Sequence, residues 1–414
     1  MAQLSDDCFA FGGALLTLDA ARAMIMAQVG PVDGTERVSL HEADGRVLAA
    51  DMAAPVDLPP FDNSAVDGYA VRLAGLEHGG RLPVLGRLAA GALAQPLVEG
   101  TAQRIFTGAA LPPGADTVFM QEDVQLDAGQ IQLPPGLRPG ANTRLRGEDI
   151  AQGAVALRAG LRLRPQDLAL AAALGLTQLT VRRAIRVALF STGDELVEPG
   201  RPTGPAQRFD SNRVLLAAMA RRAGAQVTDL GILPDRLEAI TGAIRAAADA
   251  HDLILTSGGV SAGEEDHVRA AVEATGRLVF WRLAVKPGRP VAMGVVHGVP
   301  FMGLPGNPVA AFVTFAQIAR PLIAALAGGG IQPPPTLHVR AAFAYRKKSG
   351  RREYVRVRLR PGPDGIAAAY KHEVDGAGIL TSLTETDGLA ELADDVTTVS
   401  PGEAVAFLPY ALLL

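Results

Sequence analysis

Between residues 185 and 327 the chain alternates between apolar runs typical of buried strands and longer patterns with helical spacing. The apolar runs cover 185–190, 227–233, 253–256 and 278–285, the helical patterns cover 211–223, 235–250 and a segment from Asn307, and a hairpin is predicted over 290–302. Alternating strands and helices pack as a parallel sheet that binds ligands at the carboxyl ends of its strands. We therefore expect a central α/β domain with a mainly parallel sheet.

A glycine-rich acidic loop, TSGGVSAGEEDH over 256–267, follows one of these strands. Glycines let backbone N–H groups approach an anion closely, and a helix N-terminus favours negative charge. Carboxylates such as Asp266 fit beside an anion mainly when a divalent cation lies between them. A solvent-exposed acidic loop is the simpler alternative. The phosphate contacts expected here come from Ser257, Gly258, Gly259 and Ser261.

Acidic residues follow two further strands of the same predicted sheet. Glu195 lies in STGDEL over 191–196, and Asp235 follows the strand of 227–233. Helix capping would explain either residue alone. Three acidic strand ends at one sheet edge favour a metal-assisted site over chance.

Cations are concentrated in two segments. LAVKPGRP over 283–290 places Lys286 and Arg289 in one turn, and 340–360 carries nine Lys and Arg residues against one acid. Such groups can clamp an oxyanion, although a solvated basic surface is the common alternative. The turn GLPGNP contains Pro305 and Pro308, and Pro308 fits the first position of a helix.

The segments on either side of the α/β region have a different pattern of apolar, Pro and Gly residues. Helices are predicted over 17–29 and 166–174, with a β-rich stretch between them and alternating strands after a Gly/Pro linker at 328–335. We expect the two helices to pack together. The expected domains are 1–49 with 150–182 (helical, elongated, discontinuous), 50–149 (inserted, β-rich), 183–330 (α/β) and 331–414 (small C-terminal β domain).

Composition excludes several classes of protein. A net charge of −4 disfavours a nucleic-acid binder, and a single cysteine, Cys8, excludes a disulfide framework. The apolar stretch 309–327 contains Gln317 and Arg320, which favours a buried helix over a membrane span. These features predict a cytoplasmic protein without membrane or nucleic-acid partners.

Six motifs together resemble the molybdopterin molybdenumtransferase family, of the MoeA and gephyrin E-domain type. They are PPFDNSAVDGYAV, LRGED, ALFSTGDEL, TSGGVSAGEED, FWRLAVKPGRP and GLPGNPVAAFVTF, spread over nearly the whole chain. The resemblance implies an elongated homodimer whose C-terminal domain is barrel-like. It also implies a reaction in which molybdate and adenylated molybdopterin give molybdenum cofactor and AMP, with Mg²⁺ assisting.

The resemblance also assigns residues. It implies a substrate contact at Thr107, a molybdate site at Lys286, Arg289 and Arg356, and catalytic positions at Asp67, Asp149, Glu195, Asp235 and Asp266. Among these, Glu195, Asp235 and Asp266 are the expected Mg²⁺ ligands. Three residues depart from the family pattern: Arg282 stands for a lysine, Arg289 for the lysine of PGKP, and Ala377 for a serine, with Ser382 nearby. The implied partners are a molybdopterin adenylyltransferase and the molybdoenzymes that receive the cofactor.

Two alternatives remain at this point. One is a nucleotide-transferring or nucleotide-hydrolysing relative that uses the α/β domain alone. Adenylyltransferases of that kind carry GGTG in the loop where this chain has Gly258, Gly259, Val260 and Ser261. The other is a scaffold without catalytic activity, against which the intact acidic positions argue.

Overall fold

The computed structural model describes residues 15–74, 76, 80–260, 267–330, 336–362 and 365–413. These residues form two compact units. Unit 1 combines the described residues up to 36, residues 45–47 and the described residues from 182 onwards, and unit 2 consists of 37–44 and the described part of 48–181.

Unit 2 is built around a six-stranded sheet. In order across the sheet its strands are Thr117–Met120, Gly68–Val71, Ala102–Ile105, Arg81–Leu88, Gln130–Gln132 and Gln125–Asp127. Tyr69 and Val71 belong to one buried cluster and Ala70 to another, because alternate residues of a strand point to opposite faces. Short pairs, Asn63–Ser64 with Thr143–Arg144 and Met52–Ala53 with Val155–Leu157, join the segments beside it. The β-rich texture of this stretch is confirmed, while the four-domain division stays a prediction.

Unit 1 contains the predicted α/β sheet. Its strands are β1 (Arg186–Thr192), β2 (Gln226–Leu233), β3 (Leu253–Ser257), β4 (Gly276–Arg282), β5 (Pro290–Val296) and β6 (Val299–Leu304). The order is β2-β1-β3-β6-β5-β4, in which the first four strands are parallel and β5 and β4 each run antiparallel to the strand before. The predicted hairpin is β5–β6, where His297 and Gly298 both have positive φ, as a two-residue turn of this kind requires. The mainly parallel sheet is therefore confirmed.

Helices cover both faces of this sheet. They are α1 (Leu18–Gln28), α2 (Asn212–Arg222), α3 (Leu237–Ala250), α4 (His267–Thr275) and the longer α5 (Pro308–Leu326). Leu18, Ala21 and Ile25 of α1 pack in the larger of the two cores. The helix Pro165–Ala173 belongs to a separate core in unit 2, and its expected packing against α1 stays a prediction.

In the described part of the chain, one helix is long and apolar enough to cross a membrane. This helix is α5, and 83% of its apolar window is buried inside the protein. It contains a π-helical turn, Phe315–Ala319. Its buried side chains join the same core as α1, which agrees with the prediction of a buried helix for 309–327.

The C-terminal part of unit 1 is a closed five-stranded barrel. Its strands are β7 (Leu337–Ala341), β8 (Arg352–Pro361), β9 (Ala367–Lys371), β10 (Gly388–Leu392) and β11 (Ala404–Pro409). The order β8-β9-β7-β11-β10 returns to β8, and only β7 with β9 is a parallel pair among these. Val285–Lys286 adds to β8 as a short parallel strand, which joins the LAVKPGRP segment to the barrel.

A buried carboxylate fixes the start of the central strands. Asp252 accepts two hydrogen bonds from the Arg183 guanidinium at 2.6 and 2.8 Å, and another from the backbone N–H of Arg186 at 2.8 Å. Burial alone would raise the pKa of Asp252, but these hydrogen bonds outweigh it and hold the pKa well below its usual range. Because the folded pKa lies below the unfolded one, this stabilisation is present above about pH 4 and is lost as the pH falls.

Asp252→Asn should lower the free energy of unfolding by about 3 kcal/mol near neutral pH, because a buried ion pair loses one partner. The difference from wild type should shrink as the pH falls below about 4. Urea unfolding of both proteins at neutral and acid pH measures it, with the exposed Asp395→Asn as a control. Equal stability of wild type and Asp252→Asn at neutral pH would contradict this role.

Candidate functional site

The carboxyl ends of β1, β2 and β3 meet at one edge of the sheet, because these strands are parallel neighbours. Thr192 ends β1, and its hydroxyl donates to the Asp235 carboxylate, two residues beyond β2, at 3.2 Å. Glu195 follows β1 by three residues. The strands before Glu195 and Asp235 are parallel neighbours, as predicted, and the shared role of the two carboxylates stays a prediction. Asp266 and Ser261 lie outside the described residues.

A cleft of about 210 Å³ opens at this edge. Its lining combines the end of β1, the start of α2, the glycine turn after β3, the start of α5 and one loop of the C-terminal barrel. The lining residues are Thr192, Glu195, Leu196, Arg208, Phe209, Asp210, Ser211, Asn212, Ser257, Gly258, Gly306, Asn307, Pro308, Gly378 and Leu380.

The turn after β3 accepts only glycine. Gly258 has a φ of +90°, and a Cβ there would lie 2.6 Å from the carbonyl oxygen of Thr192. Gly259 has a φ of +65°, and its Cβ would lie 2.4 Å from a methyl group of Val268. The backbone therefore turns closely against the end of β1, as the glycine-rich motif predicts.

Asn212 connects three sides of the cleft, and the sequence reasoning missed it. Its side-chain amide donates to the Ser257 hydroxyl and to the Gly306 carbonyl, at 2.9 Å each. The residue is 6% exposed, and its Oδ1 accepts no hydrogen bond within the described part of the chain. The signal was an asparagine at the start of a predicted helix, but such a residue usually caps its own helix.

The LPGNP turn starts α5 with Pro308 at the first helical position and Asn307 before it. The backbone N–H of Val309 donates to the Ala377 carbonyl at 3.0 Å. A barrel loop, which we call the 374–382 loop, is thereby tied to the start of α5. Ala377 departs from the family pattern in its side chain, but its contact here is made by the main chain.

Arg356 on β8 holds the 374–382 loop from behind. Its guanidinium donates to the Ser382 hydroxyl at 3.1 Å and to the carbonyls of Val374 and Gly376 at 3.3 and 3.1 Å. Arg356 is only 7% exposed, and burial lowers its pKa. All three hydrogen-bond partners are neutral, so this buried cation can attract an anion.

Lys286 has a different set of partners from Arg356. Its ammonium lies 3.3 Å from the carboxylate of Glu353, which is 1% exposed, and 3.3 Å from the Tyr345 hydroxyl. Burial acts to lower the pKa of Lys286, but Tyr345 and the charge of Glu353 outweigh it and raise that pKa. Arg289 is exposed, and its side chain makes no hydrogen bond or ion pair with the residues that the structure describes.

Unit 2 contains the remaining predicted positions. One carboxylate oxygen of Asp67 accepts from both the backbone N–H and the hydroxyl of Thr107, at 2.8 Å each. These hydrogen bonds, the backbone one first, lower the pKa of Asp67, so it is ionised near neutral pH. Asp149 is exposed, and its backbone N–H donates to the Leu58 carbonyl at 3.0 Å.

The carboxylates at the strand ends can hold Mg²⁺ only together with a bound ligand that supplies phosphate oxygens. Within the described ranges no group of three or more carboxylate, imidazole or thiol side chains lies together. Glu195 is paired with Arg208 at 2.6 Å, and Asp235 accepts from Thr192. Mg²⁺ is usually held by one or two carboxylates together with water and substrate phosphates, so Glu195 and Asp235 fit such a site.

Three consecutive parts of the chain match known families. Residues 16–175 match the family described as MoeA N-terminal region (domain I and II). Residues 188–325 match a probable molybdopterin binding domain, and residues 338–410 match the MoeA C-terminal region (domain IV). The matched ranges cover both units.

Individual proteins are similar over nearly the full length. The molybdopterin molybdenumtransferase of Haemophilus influenzae is 39% identical over 406 residues, which is 97% of this chain and 100% of that protein. Molybdopterin molybdenumtransferase 2 of Mycobacterium tuberculosis is 38% identical over 381 residues, covering 88% of this chain and 92% of that protein. A crystal structure of the molybdopterin biosynthesis moeA protein from Pyrococcus horikoshii OT3 superimposes with a TM-score of 0.81 at 29% identity, covering 96% of this chain and 100% of that one.

Proposed function

The chain belongs to the MoeA family of molybdopterin molybdenumtransferases, and from that premise we propose that it transfers molybdenum from molybdate to adenylated molybdopterin and releases AMP. The similarity to transferases named for this reaction extends over nearly the whole chain. The protein is accordingly an enzyme of molybdenum cofactor biosynthesis.

One feature of the structure, the lining of the cleft by a barrel loop, supports this proposal most directly. The cleft at the acidic strand ends is also lined by Gly378 and Leu380 of the 374–382 loop, and Arg356 holds that loop. The 374–382 loop thus has the cleft at the sheet edge on one side and the buried Arg356 cation on the other. This arrangement supports a substrate that carries phosphates and a second, small anion that reacts beside it.

The phosphates of the adenylated substrate would contact the glycine turn and the start of α5. The backbone N–H of Gly259 suits such an anion, whereas those of Gly258 and Val309 already donate to the Leu304 and Ala377 carbonyls at 3.1 and 3.0 Å. Pro305 and Pro308 keep the turn before α5 rigid. Molybdate is a tetrahedral dianion, so it requires convergent cations and hydroxyl groups. We assign it to Arg356, with Lys286 and Arg289 contributing charge from the neighbouring turn.

Mg²⁺ is part of the proposal. Glu195 and Asp235 would hold it, with Asp266 as the third ligand that the motif implies. When bound, Mg²⁺ would neutralise the phosphates while the bond that releases AMP breaks. The side chain of Asp235 is kept in place by Thr192, which also lines the cleft.

The catalytic positions of unit 2 complete the proposal. Asp67, oriented by Thr107, and Asp149 would act on the substrate in a homodimer in which part of each site comes from the partner subunit. We further propose a cytoplasmic location, an adenylyltransferase as the source of the substrate, and molybdoenzymes as recipients of the product.

A product analysis tests the function itself. Purified protein would be incubated with adenylated molybdopterin, molybdate and Mg²⁺, and the pterin fraction would be analysed for bound molybdenum by elemental mass spectrometry. Molybdenum that co-elutes with the pterin and requires the protein supports the proposal. A pterin fraction without molybdenum, despite full substrate consumption, would overturn it in favour of a nucleotide hydrolase.

Lys286→Ala should raise the molybdate concentration for half-maximal rate about tenfold, because one exposed charge–anion contact is lost. Tyr345 and Arg351 still donate to Glu353, so the protein should remain folded. Steady-state kinetics with varied molybdate measure the effect, and Lys348→Ala, which removes an exposed lysine from the same region, is the control. An unchanged molybdate requirement would remove Lys286 from the anion site.

A further inference from the structure

Arg208 is the one cation among the described residues that line the cleft. Its guanidinium lies 2.6 Å from the Glu195 carboxylate, in an ion pair whose side chains are 61% and 42% exposed. Neither the motifs nor the family resemblance points to this residue. The pair places a positive charge directly on a carboxylate that the proposed function assigns to a metal ion.

The backbone under this pair is fixed by strand pairing, while both side chains are exposed to solvent. Leu196–Val197 pairs with Arg208–Phe209, and the backbone N–H of Arg208 donates to the Glu195 carbonyl at 2.8 Å. The adjacent Asp210 is buried and held by Arg213 at 3.0 Å. Arg208 therefore sits on a rigid support, with an exposed guanidinium that can change partner without a change in the fold.

The two partners available to Arg208 differ in strength. An exposed pair between Arg and a carboxylate shifts an equilibrium by a factor of about 5 or less. A phosphate offers a fork-shaped guanidinium two parallel charge-assisted hydrogen bonds and more negative charge. A phosphorylated ligand in the cleft can thus draw Arg208 away from Glu195.

We propose that Arg208 exchanges Glu195 for a phosphate of the bound nucleotide substrate. Arg208 is then a substrate-binding residue, and the same exchange frees Glu195 to bind a divalent cation more tightly once substrate is present. This inference rests on the proposed function, because it takes the ligand of the cleft to be an adenylated compound.

The exchange makes two predictions of opposite sign for Arg208→Ala. The dissociation constant of AMP, measured by calorimetry, should rise about 10- to 100-fold because a charge-assisted contact is lost. Mn²⁺, used as a spectroscopic probe of the metal site without nucleotide, should bind about 2- to 5-fold more tightly because Glu195 is no longer paired. A merely structural role of Arg208 would weaken both ligands together.

Two variants complete the test. Arg208→Lys keeps the charge and should recover part of the AMP affinity. Arg201→Ala removes an exposed arginine of the same segment and should match wild type in both measurements. The Arg201 side chain makes no hydrogen bond or ion pair in the described part of the protein.

The outcomes separate this inference from the proposed function. If wild type binds AMP, and Arg208→Ala binds both AMP and Mn²⁺ as tightly as wild type does, the role of Arg208 fails and the transferase proposal stands. Weaker binding of both ligands by Arg208→Ala would also overturn the exchange. If wild type binds neither AMP nor adenylated molybdopterin, both proposals fail together.

Discussion

Asp235→Asn should reduce the rate of molybdate-dependent AMP release on the order of 1000-fold while the protein stays folded. Asparagine matches aspartate in size, and its carbonyl oxygen can still accept from the Thr192 hydroxyl. The free energy of unfolding should therefore change by less than about 1 kcal/mol. The negative charge is lost, and with it the ability to hold a cation against the substrate phosphates. Single-turnover kinetics and urea unfolding of the same preparation measure the two quantities.

Asp249→Asn is the matched control for this variant. Asp249 is an exposed carboxylate of α3, and its replacement changes the net charge by the same amount. We expect its rate to equal that of wild type. If Asp235→Asn loses stability in proportion to its loss of rate, Asp235 is structural and its assignment to the metal site is wrong.

The second large effect is expected for Arg356→Ala. Three acceptors, the Ser382 hydroxyl and the carbonyls of Val374 and Gly376, would lose their donor. That loss is partly offset because a buried cation without a carboxylate partner is removed, so we expect a destabilisation of about 2 kcal/mol. The molybdate concentration for half-maximal rate should rise by a factor of about 100 or more, because the buried charge is the strongest attraction for the anion.

Arg356→Lys separates the charge from the support of the loop. Lysine keeps the positive charge but lacks the planar fork that bonds the loop, so it should recover part of the molybdate affinity and little of the stability. Arg360→Ala, which removes an exposed arginine of the same strand that lies over the Tyr370 ring, should leave the molybdate requirement unchanged. An unaltered molybdate requirement in folded Arg356→Ala would show that Arg356 only supports the loop.

The parallel part of the sheet and its acidic edge could be predicted from the sequence because local patterns determine them. Strand and helix periodicity gave the order of elements, and the rule for strand ends then placed Glu195 and Asp235 at one edge. The glycines after β3 were also readable, since Gly258 and Gly259 adopt backbone angles that other residues avoid.

The rest of the cleft depends on contacts between distant segments, which no local pattern encodes. Asn212 reaches Ser257 and Gly306, and Ala377 of the barrel loop accepts from Val309. The closure of the barrel that brings this loop to α5 depends on strand pairing across more than 50 residues, such as Leu337 with Phe407. Arg208 was missed because its partner, Glu195, was read only as a metal ligand.

The most direct test of the transferase is the molybdate dependence of AMP release from adenylated molybdopterin in the presence of Mg²⁺. We predict slow release without molybdate, a rate that rises and saturates as molybdate is added, and equal amounts of AMP and molybdenum-loaded pterin at completion. Release at the same rate with and without molybdate would contradict the account and would identify the protein as a nucleotide hydrolase.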